Sequence, residues 1–150
     1  MDVTRYLINP PALKDARAIG YNHGVIAEGT FYSAGQVAMN GRNEIVGDDI
    51  ETQARQVYEN VEVLLEAIGK DVADVAKVTT HIVDPATHYH DGYKDVYIET
   101  FSPPYPAHTV LGVDQLADPE YLVEVEIEVP LSRADVKDIE ADGETIVAVE

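Results

Sequence analysis

In the stretch SPPYPAHTVLGV, Ser102–Val113, one histidine stands between a proline-stiffened entry and an apolar run. The ring of His108 has three chemical uses there. A neutral imidazole donates a hydrogen bond or acts as a general base, because its ordinary pKa of about 6.5 lies near working pH. A metal-bound imidazole needs two or three further convergent ligands. A structural imidazole at a pocket rim needs only a hydrogen-bond partner. In so acidic a chain, nearby carboxylates are expected to favour the charged ring, which helps it grip an anion and hinders it as a base.

The other histidines carry weaker signals. His88 and His90 form an H-x-H next to Asp91 and read as surface residues. His81, inside the apolar segment Val78–Val83, reads as a structural histidine with its hydrogen bonds satisfied. His23 precedes a strand, and its distance from His108 is open at this level. No H-E-x-x-H spacing supports zinc, no G-x-S-x-G elbow activates Ser33, and no glycine-rich phosphate cradle is present. The chain has no cysteine, which removes thiol nucleophiles, thiolate metal sites and disulfides.

These groups need a scaffold. VIAEGTFYSAGQVA reads as two strands about the turn Glu28-Gly29-Thr30, and Glu44–Val46 as a further short strand. Ile50, Ala54, Val57, Val61, Leu64, Leu65 and Ile68 recur at three- and four-residue spacing, which predicts an amphipathic helix. Asp48 or Asp49 caps it and Gly69 ends it. A strand follows near Val75–Val83, then a second helix from about Thr87 to Phe101, stopped by Pro103 and Pro104. A strand near Ala107–Val113 comes next. LVEVEIEVPL alternates strictly, with Val123, Val125, Ile127 and Val129 on one face and Glu124, Glu126 and Glu128 on the other. That acidic face must meet water or line a polar cavity, because unpaired buried carboxylates are costly. A sheet with helices on one side leaves its other face to be covered, and self-association is the natural cover. Residues 1–131 form the main domain on this reading. Residues 132–150 are an acidic extension, either a tail or an added local strand.

At 150 residues the chain is one domain with a sizeable core. Its 28 Asp and Glu against ten Lys and Arg give a formal net charge of −18. That field argues against nucleic acid as a partner. It reads as a solvated acidic coat of the halophilic kind, screened at high salt. No apolar run approaches the ~20 residues of a membrane span, and the N-terminus has no signal pattern, so no membrane partner and a cytoplasmic protein are expected.

The pieces AIGYNHGV, FYSAGQVA, GDDIETQARQVYENVEVLLEAIG, DVAKVTTHIVD and YPAHTVLGV…LVEVEIEV, in this order, resemble the reactive-intermediate deaminase (Rid) family from about Leu7 to Leu131. The resemblance implies an α+β, chorismate-mutase-like fold: a single mixed sheet with two helices packed on one face. It implies a homotrimer with a central barrel and a small polar metabolite bound at each subunit interface. It implies hydrolysis of imines and enamines to a 2-oxo acid and ammonia, with no cofactor and no metal. Tyr21 matches the family's pocket tyrosine, and Ser33, Ala34 and Gly35 match the pocket floor. Glu126 matches the glutamate that positions water. Lys94 falls where better-known deaminases have a pocket asparagine. The family's substrate-clamping arginine follows Pro-Ala, and here His108 holds that slot. Histidine lacks the permanent charge and the two-pronged donor fork of arginine. An altered substrate for the deaminase, or a non-catalytic metabolite-binding or stress-related trimer, are the two functions that follow.

Overall fold

The computed structural model describes residues 4–141 and 146–149. Its strands are β1 (Arg5–Ile8), β2 (Gly24–Ala27), β3 (Thr30–Ser33), β4 (Lys77–Val83), β5 (Ala107–Val113), β6 (Val123–Pro130) and β7 (Ile146–Val149). They form one sheet in the order β5-β4-β6-β3-β2-β1-β7. β4 and β5 run parallel and all other neighbours antiparallel, so the sheet is mixed. The β2–β3 hairpin turns through Glu28 and Gly29, both at positive φ, on the residues expected. The strand expected at Glu44–Val46 is reduced to one bridge between Met39 and Ile45.

Helix α1 (Ile50–Ala67) lies against the sheet. Asp49 caps it by accepting from the Thr52 amide at 3.0 Å. Val57, Val61, Leu64 and Leu65 are buried on its inner face, each worth about 1.5–3 kcal/mol of hydrophobic stabilisation. Facing them are Val78 and Ile82 of β4 and the odd-numbered residues of β6, all buried.

The second helix departs from expectation. Instead of one run from Thr87 to Phe101 there are α2 (Pro85–His88), a wide turn over Tyr89–Tyr93, and α3 (Lys94–Thr100). Asp91 and Gly92 leave helical geometry. A Cβ on Gly92 would lie 2.4 Å from the Ile50 side chain, so the kink lets the chain pass close to the start of α1. Tyr93, just after it, is fully buried.

Residues 133–140 form a helix, α4 (Arg133–Glu140), which was not expected. Ser132 and Asp135 make a reciprocal capping box, a signal present in the sequence but outweighed by the polar composition around it. Ile139 joins the common core, Tyr6 donates a hydrogen bond to Glu140, and β7 pairs with β1. The described part of the extension is therefore packed and paired with the main sheet.

Candidate functional site

β5 is an edge strand. It bonds β4 on one side, and no described residue pairs with its other side. The β4–β5 register sets Val78 beside His108 and Thr80 beside Val110. Val78, Thr80 and Ile82 face the helices, and so does His108. Its ring is half-buried and stacks on Tyr97 of α3, with centroids 4.3 Å apart and planes 11° from parallel.

Behind the ring runs a line of hydroxyl groups. His108 Nε2 lies 2.9 Å from Thr80 Oγ1. Thr80 Oγ1 lies 2.5 Å from the Tyr93 hydroxyl, which lies 2.5 Å from the Tyr58 hydroxyl. Thr80, Tyr93 and Tyr58 are all buried. Burial pushes both tyrosine hydroxyls above their ordinary pKa, so both stay protonated. Burial also lowers the pKa of His108, and Lys77 lowers it further. The carboxylates expected to charge this ring are not the groups acting on it. Lys77 donates to Thr109 Oγ1 at 2.5 Å on the opposite face of the sheet. Both effects favour the neutral ring.

The residues matched to the pocket floor gather elsewhere, at the end of β3. Ser33 Oγ accepts from the Ile127 amide at 2.9 Å, and the Ala34 amide donates to the His23 carbonyl at 2.7 Å. Gln36 exchanges backbone bonds with Val125, tying this segment to β6. Gly35 is required by contact: a Cβ there would meet the Glu124 carboxyl group at 2.5–2.6 Å. Glu124 is half-buried, and its pKa is raised by burial first, with Glu126 adding to the effect. Glu126 is exposed on the same face, opposite Thr79. Of the acidic residues of β6, Glu124 rather than Glu126 is the one against Gly35, a pairing that strand alternation alone could not select.

Tyr21 packs edge-on to His23, with centroids 5.8 Å apart, and Lys14 lies over its ring at 5.7 Å. Tyr21, His23, Gly35 and Gln36 line one narrow crevice. His23 is buried and holds both sides together. Its Nε2–H donates to the Lys14 carbonyl at 2.8 Å, and Nδ1 accepts from the Gln36 side chain at 3.2 Å. Neither His23 nor Gln36 was singled out from sequence as a pocket residue.

Within one chain these residues form two separate groups. His108 faces the helices, Glu126 faces the other way, and three strands separate β5 from β2. His23 and His108 therefore stay apart. Lys94 begins α3, half-buried, three residues before the Tyr97 that stacks on His108. His81 sits opposite Glu124, and its Nδ1 is buried with no partner among the described residues, contrary to the satisfied histidine expected. His90 is exposed, while His88 Nδ1–H donates to the Val83 carbonyl at 2.6 Å and pins α2 to the end of β4. Among the described residues no group of three His, Asp or Glu could hold a metal ion, and no helix is long and apolar enough to cross a membrane.

A single mixed sheet with helices on one face, carrying a tyrosine–glycine–glutamate group at one place and an aromatic-backed histidine at its edge, is the class that fold and site define. A family model described as endoribonuclease L-PSP matches residues 13–130. The chain belongs to that family, the Rid proteins. It is 35% identical over 99 residues to a 2-iminobutanoate/2-iminopropanoate deaminase of Dermatophagoides farinae, covering 64% of this chain and 74% of that protein. It is 36% identical over 109 residues to a RutC family protein of Pyrococcus horikoshii, covering 71% and 82%. The crystal structure of the Rid-family protein YyfA of Yersinia pestis, whose function is given as unknown, superposes with a TM-score of 0.77 at 26% identity, covering 85% and 99%.

Proposed function

We propose that this protein is a cytoplasmic homotrimer that hydrolyses small imine or enamine metabolites, with a specificity altered by His108. The observation that carries the reading is the 35% identity to an imine deaminase over 99 residues, within a family match whose residues 13–130 include both groups. The free edge of β5 supports assembly. Leu111 on it and Tyr105 before it are 45% and 53% exposed, and an unpaired edge with apolar neighbours is a surface proteins cover. The helix-free face supports it too, because Tyr32, Leu111 and Glu124 lie there without a second layer. A neighbouring copy would bring its Tyr21, Gly35 and β6 carboxylates up to the His108 edge. No single chain joins them.

In that seam a water molecule adds to the imine carbon, giving a carbinolamine. A β6 carboxylate, Glu126 or Glu124, relays one water proton to the imine nitrogen during addition and then the carbinolamine hydroxyl proton to the departing amine. The C–N bond breaks, ammonia leaves, and a carbonyl compound remains. Ser33 and Ala34 position the floor, Tyr21 closes the wall, Lys94 borders the entrance, and His108 contacts the far end of the substrate. No cofactor enters this scheme.

The test is release of pyruvate from 2-iminopropanoate generated in situ, at low and molar salt, for wild type, His108→Ala and His108→Arg. Turnover is expected to be weak in wild type and raised in His108→Arg. No turnover in any of the three, with a trimer confirmed by analytical ultracentrifugation, overturns the hydrolase and leaves a metabolite-binding trimer. A monomer at micromolar concentration overturns the shared site.

A further inference from the structure

We infer that the buried hydroxyls of Tyr58, Tyr93 and Thr80 lock His108 as the neutral tautomer protonated on Nδ1, so that the site takes an uncharged carbonyl group where a carboxylate would otherwise bind. The inference rests on the reading of the β5 edge as a substrate site.

The argument is a count of protons. The four polar groups make three contacts in a line, Tyr58 to Tyr93, Tyr93 to Thr80, and Thr80 to His108 Nε2. Each contact holds one proton. The three hydroxyls supply three. If Nε2 is bare, Tyr58 donates to Tyr93, Tyr93 to Thr80 and Thr80 to Nε2, and every proton is used. If Nε2 carries a proton, four protons compete for three contacts. One hydroxyl proton is then stranded, whichever way the others point. Tyr58, Tyr93 and Thr80 are 3%, 0% and 0% exposed, so it has no water to turn to. None of the three hydroxyls has a hydrogen-bond partner outside this group among the described residues. The penalty for a buried unmade hydrogen bond corresponds to roughly a 5- to 150-fold bias toward the bare Nε2.

The same count resists the imidazolium, since that form also carries a proton on Nε2. Burial and the Lys77 charge act in the same direction. His108 therefore presents one uncharged N–H, from Nδ1 on the ring side away from Thr80. Thr80, Tyr93 and Tyr58 are positioning residues that act through it. A single neutral donor suits an amide or ester oxygen. A carboxylate would have to shed its water against an uncharged ring, with the Lys77 ammonium tied to Thr109 on the other side of the sheet and Lys94, at the start of α3, left as the cation on the helix side. The substrate class is thus an imine or enamine whose neighbouring acyl group is uncharged.

The first measurement is the 15N spectrum of the histidine rings in the full-length protein at pH 7. For His108 a protonated Nδ1 and a bare Nε2 are expected, and Thr80→Val is expected to move population toward the Nε2–H form. A protonated Nε2 in the wild type overturns the inference, and that spectrum decides even if Thr80→Val does not fold. The second measurement is binding of pyruvamide and pyruvate. Pyruvamide is expected to bind the wild type at least about tenfold more tightly, and the order to reverse in His108→Arg, where the guanidinium supplies charge and fork. Tighter pyruvate binding by the wild type overturns the substrate class. Binding of neither probe beside an Nδ1–H ring overturns the β5 edge as a substrate site and leaves the tautomer standing. The ring spectrum does not depend on turnover, so a failed deaminase and a failed tautomer are read separately.

Discussion

Replacing Tyr93 with phenylalanine removes one oxygen from the core and leaves the ring packing intact. Two contacts of 2.5 Å disappear, one to Tyr58 and one to Thr80. Thr80 keeps His108 at 2.9 Å. Tyr58 is 3% exposed and loses its 2.5 Å contact, leaving only the Thr80 hydroxyl, already bonded to His108, within its reach. A buried hydroxyl left without a partner costs about 1–3 kcal/mol, whereas removing both partners of a contact is close to neutral. Tyr93→Phe is therefore expected to lose about 1–3 kcal/mol. Tyr58→Phe is expected to lose less, because Tyr93 still donates to Thr80. The double variant is expected to fall short of the sum by about 0.5–3 kcal/mol. In a domain of this length each kcal/mol moves the Tm by roughly 2–4 °C. The assay is guanidinium unfolding of the three variants at one fixed protein concentration, since assembly adds to apparent stability. Additive costs, within about 0.3–0.5 kcal/mol, would refute the chain of hydroxyls. The pH dependence gives a second reading. Unfolded tyrosine ionises near pH 10, while burial keeps both protons on in the folded protein. Above that pH the unfolded chain binds fewer protons, so stability falls as pH rises. The slope is expected to shrink in the double phenylalanine variant.

Three further outcomes are expected. Gly35→Ala should expel the Glu124 carboxyl group from its contact at 2.5–2.6 Å and return its pKa toward the ordinary range. Carboxyl NMR reads this, and an unchanged Glu124 titration refutes the contact. Because the wild-type pKa is raised, that group's contribution is present at low pH and lost as pH climbs through the folded value. Gln53→Glu should destabilise by at least about 2 kcal/mol in denaturant unfolding, because the amide nitrogen it replaces donates to the Gly47 and Glu120 carbonyls. Wild-type stability in that variant would contradict the clamp. The Tm should rise between 0.1 and 3 M KCl, as the screening length falls from ~10 Å to below ~3 Å around a chain of net charge −18. A flat Tm removes the acidic-coat reading.

What was legible in the sequence tracks how local the deciding interaction is. β6 and α1 follow from alternation and from three-and-four spacing within one segment, and their limits fall within a residue of those expected. The kink at Asp91–Gly92 was hidden because Tyr89, Tyr93, Val96 and Tyr97 keep a helical rhythm across it, and its close neighbour, Ile50, is far away in the chain. α4 was hidden because only Val136 and Ile139 give it an apolar side. The site divides in the same way. Tyr21, Gly35 and His108 stood out by residue type and motif. Thr80 and Tyr93, which line up behind His108, did not, because their place depends on the β4–β5 register and on the kink. Alternation in KVTTHIV does place Thr80 with Val78 and Ile82, so a buried hydroxyl was readable there, though not its partner.

Four aromatic rings line up above the β5 edge, with Tyr89 to Tyr93 centroids at 6.1 Å, Tyr93 to Tyr97 at 6.3 Å and Tyr97 to His108 at 4.3 Å. The chain has no tryptophan, so its ultraviolet emission is dominated by nine tyrosines, three of them in this column. Anything that docks on the imidazole perturbs the ring stacked against it. If the β5 edge is the substrate site, tyrosine emission is expected to report its occupancy, and a screen of unlabelled compounds by fluorescence needs no engineered dye.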